Sequence, residues 1–123
     1  MTASAVLLIA AGIVCTFLPQ ELAAALGSDT VSGGAVIIQI IGALYFAFGM
    51  VNWTARENLI GGVYGRPVAI GNLTHFTVGG LALIKSSVLS PLLLVTAGIY
   101  LLFAVLFGII FFRHPAADAE RRS

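Results

Sequence analysis

Charge is what this sequence has least of: charged residues make up 9% of its 123 positions and apolar ones 59%, against roughly 25% and 45–50% in ordinary soluble domains. A chain with so few polar groups cannot coat a water-facing exterior, so the solvent it implies is lipid. Cysteine occurs once, at Cys15, which excludes an internal disulfide and a multi-cysteine metal site and reads as a small buried apolar residue. Histidine occurs only at His75 and His114. His114 lies beyond the last apolar run, so one chain supplies neither a pair of axial haem ligands nor a typical zinc set, and no cofactor or metal is expected. The six basic residues are dispersed, with no stripe to track phosphates, which excludes nucleic acid as a partner.

What the chain does have is four charge-free stretches, 1–20, 30–55, 67–84 and 86–112, with every Asp, Glu, Lys and Arg between or beyond them. Each reaches or approaches the roughly 20 apolar residues that cross a hydrocarbon core about 30 Å thick. The expected fold is therefore all-α, an integral membrane four-helix bundle with helices at about 3–18, 34–53, 67–85 and 91–112. Together they form one transmembrane domain, 1–112, followed by a mobile cytoplasmic tail, 113–123. The first run lacks a basic start, and Gly12-Ile13-Val14 before Cys15 is not a small-residue cleavage site, which argues against a cleaved signal.

The first helix is short for a full crossing. Pro19 to Leu26, closed by Gly27, has proline at a first helical position, Glu21 near the positive helix start and glycine just past the end, and so reads as a short interfacial helix. Ser28, Asp29, Thr30 and Ser32 form a polar turn able to cap the second long helix. Pro67 and Pro91 open the last two helices, where a missing amide hydrogen costs nothing, and Lys85 can reach back to an interface from the end of the third. Arg56, Arg66, Arg113, Arg121 and Arg122 share one side with the amino terminus, and only Lys85 lies on the other. The positive-inside rule then places both termini in the cytoplasm of what reads as a bacterial inner membrane.

Inside the apolar runs stand Gln39, Tyr45, Asn52, Asn72, His75 and Tyr100, whose hydrogen-bonding groups hydrocarbon cannot satisfy, so they should face the bundle interior or an interface. Antiparallel neighbours should be level where residue numbers sum to about 120 for helices two and three and about 175 for helices three and four. That arithmetic puts Tyr45, His75 and Tyr100 at one depth, His75 about 12 Å inside from Pro67. It also sets Gly42 against Gly79 and Gly49 against Gly71, small residues that let helix backbones approach closely. The set reads first as interhelical packing by satisfied polar groups. Its sharper alternative is a site for the polar head of a lipophilic ligand or for proton relay, with Tyr45, Tyr100 and Asn72 around His75 and with Asn52 and Gln39 near by.

Trp53, Tyr64, Phe111 and Phe112 fall where an inner aromatic belt is expected. Arg56 and Arg66 flank the glycine-rich loop 61–66 and suit anionic lipid headgroups better than a nucleotide, since no strand precedes the loop and no phosphate-binding lysine follows it. Asn52-Trp53-Thr54 and Asn72-Leu73-Thr74 match the glycosylation pattern but lie at the cytoplasmic interface and within the membrane, and read as accidental.

The order of features resembles the DoxX-like group of small four-helix membrane proteins: the Phe17-Leu18-Pro19 turn with its short helix, then Gly42-Ala43-Leu44-Tyr45, Asn52-Trp53-Thr54-Ala55-Arg56, Gly65-Arg66-Pro67 and Gly71-Asn72. The resemblance implies the four-helix architecture and, for some members, an accessory place in membrane redox systems; it carries no catalytic residue onto this chain. The expected function is a structural or accessory subunit of a homo-oligomer or larger membrane complex, with Ala43 and Ala47, or Ala104 and Gly108, as small-residue pairs for an outer face. A carrier or binding protein for a small lipophilic molecule of lipid or quinone type is the alternative. A membrane enzyme or redox-linked subunit comes third, because no nucleophile stands with a base and an orienting partner.

Overall fold

The computed structural model describes residues 1–26, 33–58, 65–86 and 90–113, and among these there are helices and no strand. In chain order the helices are α1 (Thr2–Phe17), α2 (Pro19–Ala25), α3 (Gly34–Thr54), α4 (Gly65–Lys85) and α5 (Pro91–Arg113), with a 3-10 turn, Ala55–Glu57, after α3. The polar turn 28–32, residues 61–64 of the glycine-rich loop and residues 114–123 of the tail lie outside the described residues. Arg113, expected to begin the tail, is the last residue of α5.

Three helical segments are long and apolar enough to cross a membrane: Gly34–Glu57, Gly65–Lys85 and Pro91–Arg113. The fourth expected crossing is a broken element. α1 has 16 residues, about 24 Å at 1.5 Å per residue. Proline disfavours helical geometry in the residue before it and brings no amide hydrogen. Leu18 accordingly leaves the helix at φ −126° and ψ 46°, and the chain bends by 101° into α2. Pro19 then opens α2, with Glu21 in its first turn.

α4 starts at Gly65, two residues ahead of Pro67. The amides of a helix's first turn have no acceptor within the helix, so a proline one or two places further in removes no bond. α3 is preceded at its N-cap by Gly33, at φ +100° and without a side-chain cap, a left-handed conformation that glycine adopts without steric cost.

Contacts divide the chain into two compact units, Met1–Arg56 and Glu57–Ser123. In the first, α1 and α3 pack as an antiparallel pair, since Ala5 and Ile9 meet Gly49 while Cys15 and Thr16 meet Gly42. Small residues make this approach close. A Cβ on Gly12 would lie 2.6 Å from the backbone nitrogen of Phe46 and 2.8 Å from the carbonyl oxygen of Gly42, and one on Gly49 would lie 2.9 Å from the nitrogen of Ile9. Where lipid removes any hydrophobic drive between helices, such backbone proximity is a main source of dispersion attraction. The surface of Gly42 that sequence arithmetic set against Gly79 is occupied by α1.

In the second unit α4 and α5 pack antiparallel around aromatic rings. Phe76, fully buried, stacks on Phe103 and Phe107 at centroid distances of 4.9 and 5.9 Å and meets Tyr100 edge-on at 5.2 Å. Offset and edge contacts of this kind suit the ring quadrupole.

Candidate functional site

His75 and Tyr100 are brought together as the depth argument expected. The Tyr100 hydroxyl and His75 Nε2 share a hydrogen bond of 3.3 Å, with the rings 5.4 Å apart. The geometry comes from glycine: Gly79, one turn after His75 on α4, leaves a notch that the Tyr100 ring fills, and a Cβ there would lie 2.6 Å from Tyr100 Cε1. Residues four apart share a helix face, so the ring that rests on Gly79 delivers its hydroxyl to His75. Tyr100 is 7% exposed, and His75 is half-buried. Phe76 lies edge-on to His75 at 5.1 Å.

Asn72, on the same helix, is fully buried and donates from Nδ2 to the carbonyl of Val68 at 2.8 Å. Tyr45 belongs to the first unit, half-buried on α3. Gly71 is half-buried on α4.

Two polar residues of α3, Asn52 and Gln39, bond to α1. Asn52, fully buried, donates from Nδ2 to Ser4 Oγ at 3.3 Å, and the Ser4 hydroxyl, also fully buried, donates to the Met1 carbonyl at 2.7 Å. Gln39 donates to the Thr16 carbonyl at 3.3 Å, at the end of α1 where the break before Pro19 leaves carbonyls without their usual intrahelical donors. Among the described residues no buried side-chain nitrogen or oxygen lacks a hydrogen-bond partner.

Arg56 folds back on its own helix end, its guanidinium carbon 4.0 Å from the Trp53 ring centroid and one nitrogen 3.3 Å from the Trp53 carbonyl. Arg66 is exposed in the first turn of α4. No group of three or more metal-ligating side chains occurs among the described residues.

Gly12 and Ser4 were missed by sequence reasoning. A glycine inside a helix costs about 1 kcal/mol against alanine, so Gly12, in the middle of an otherwise strong apolar helix, was itself the signal of a close approach. Ser4 carried none, since a serine in the first turn of a helix is ordinary. No protein-family model, curated protein or solved structure matches this chain.

Proposed function

We propose that this protein is a small polytopic membrane protein that acts as a structural or accessory subunit, associating with further copies of itself or with a larger membrane complex. The observation that carries the reading is the imbalance between apolar surface and its burial. Only 11%, 22% and 17% of the most apolar windows of the three long segments is buried within the chain, and Ile37, Leu44, Val78, Leu94 and Val95 are each at least 61% exposed. Surface of this kind is stable against acyl chains or the faces of other helices and aggregates in water. Meanwhile the buried polar side chains have partners, which supports a role in packing for them.

The pairing of α1 with α3 supports an even number of crossings. Ser4 lies level with Asn52 and Thr16 with Gly42, so α1 covers most of the depth of α3, and α2, turned by 101°, takes the interfacial position. Four crossings, with basic residues gathered beside the amino terminus, favour a cytoplasmic side for both termini. This is the arrangement of the DoxX-like group that the sequence resembles. The membrane reading is tested by washing membranes from expressing cells with alkaline carbonate: the chain should stay in the pellet and leave it only with detergent. Cross-linking or mass measurement of the detergent-extracted protein tests the subunit reading, which a stable lone monomer would refute.

A second reading, a carrier for a lipophilic molecule, draws on one observation: His75, though bonded to Tyr100, is only half-buried. If lipids or quinones co-purify, the profile from His75→Ala should then lose a component; an unchanged profile removes this reading.

A further inference from the structure

The two long helices of the N-terminal unit are unequal. α1 has 16 residues and α3 has 21, about 24 and 31 Å at 1.5 Å per residue. Their register decides at which end the difference falls. Asn52 bonds Ser4, Gly49 lies against Ala5 and Ile9, Gly42 lies against Cys15 and Thr16, and Gln39 bonds the Thr16 carbonyl. Near the amino terminus the helices are almost flush, since α1 begins at Thr2 and α3 ends at Thr54. At the other end the same register sets Leu18, where α1 breaks, about level with Ile38. From there α3 continues four residues to Gly34, about 6 Å.

α2 does not make up that difference. The chain bends by 101° at Leu18, so α2 runs across the end of α1 and packs against α3. Its Pro19 and Ala23 are buried, whereas Gln20 and Glu21 are exposed. A helix that ends in hydrocarbon leaves carbonyls that lipid cannot satisfy, and the exposed amide of Gln20 and carboxyl group of Glu21 need water or headgroups as well. Gln39 adds an independent sign of the same level: it is exposed on α3 beside the break, five residues and about 7.5 Å inside the start of its helix. Polar surroundings therefore reach down to Leu18. On α3 the turn beyond that level is apolar, with Val36 and Ile37 56% and 61% exposed, and acyl chains are the surroundings that suit it.

We infer that the leaflet meeting α2 is thinned by about 6 Å beside α1, and that the lipid this side of the N-terminal unit fits is a phospholipid with short acyl chains. A bilayer accommodates a short span in this way at modest cost, and a lipid that is already short removes the cost. The inference rests on the membrane reading above, with α1 as a crossing.

The test uses the full chain reconstituted in phosphatidylcholine vesicles. Trp53, the single tryptophan, lines a surface groove with Val6, Ile9 and Ala10 of α1, so its fluorescence reads the lipid on this side. In equal mixtures of 14-carbon and 18-carbon lipid, with one or the other brominated, quenching should show the shorter lipid enriched about threefold beside the indole. Pro19→Leu, which lets α1 continue into α2 as one longer helix, should abolish the enrichment. With a maleimide supplied on both faces of the vesicles, Glu21→Cys should react about tenfold faster than Ile37→Cys, the buried Cys15 of the wild type giving the background. No enrichment of the shorter lipid, an unchanged enrichment in a folded Pro19→Leu chain, or equal labelling of the two cysteine variants each overturns the inference, the last because the end of α3 would then stand in water. If Pro19→Leu does not fold, wild-type quenching and the two exposed cysteine variants decide alone. A chain that stays in carbonate-washed membranes yet shows no such preference refutes the thinning only, while one released by carbonate refutes the membrane reading as well.

Discussion

Replacing Gly12 by alanine is the sharpest test of how α1 and α3 are joined. The added methyl group would lie 2.6, 2.8 and 2.9 Å from the Phe46 nitrogen, the Gly42 oxygen and the Phe46 Cα, all backbone atoms that no rotamer change can move. Bringing the shortest of these to the 3.4 Å where ordinary contact begins opens the pair locally by about 0.8 Å. A gap of about 0.5–1 Å forfeits a quarter to a half of each dispersion contact it interrupts, and overpacking of this kind costs about 1–3 kcal/mol. In water the higher helix propensity of alanine would return about 1 kcal/mol. In the apolar interior of a micelle it returns little, because the backbone must stay helical whether or not the pair forms. Gly98→Ala is the control, for a Cβ there meets nothing within 4 Å and stability should be unchanged. Unfolding in mixed micelles, followed by fluorescence of the single tryptophan, Trp53 on α3, should show Gly12→Ala less stable by about 1–3 kcal/mol. A Gly12→Ala chain within about 0.5 kcal/mol of wild type would mean that the two backbones do not touch, and the account of the N-terminal unit would fail.

Other outcomes follow from the same contacts. A double-mutant cycle with Tyr100→Phe and His75→Ala should give a coupling of about 0.6 kcal/mol, the usual worth of a hydrogen bond between helices in a membrane; zero coupling would leave the 3.3 Å contact without energetic content. Asn52→Ala should destabilise by about 1–2 kcal/mol through loss of the buried link to Ser4, and the same micelle titration measures it. Gly79→Val should lift the Tyr100 ring from its notch and also cost about 1–3 kcal/mol; combined with Tyr100→Ala, which empties the notch, the penalty should largely vanish. Reporter fusions at Ser123 should be active in the cytoplasm, and activity outside the cell would overturn the orientation.

The positions of the helices were legible because charges and prolines mark where a long apolar helix can end. Expected limits of about 3–18, 34–53, 67–85 and 91–112 compare with observed helices Thr2–Phe17, Gly34–Thr54, Gly65–Lys85 and Pro91–Arg113. Pro19 and Pro91 each stand at the first position of a helix, and the short helix after Pro19 is present. Partnership was harder to read. Spacing marked Gly42 and Gly49 as one face of α3 but could not say what lay against it, because in lipid the faces of a helix are all apolar and sequence contrast names no neighbour. Arithmetic on loop lengths therefore set these glycines opposite α4, whereas α1 covers them. The same arithmetic brought His75 level with Tyr100, where the short connection between α4 and α5 leaves little freedom in register.

The contact between Cys15 and Gly42 gives the chain an internal reporter. Cys15 is the only thiol, is 8% exposed, and its Cβ lies 2.8 Å from where a side chain on Gly42 would begin. An alkylating reagent reaches that sulfur readily only when α1 and α3 part, so at low reagent concentration the rate of modification follows the fraction of time they are apart. The equilibrium between joined and parted helices can thus be measured on the unmutated protein, without a tag or a denaturant.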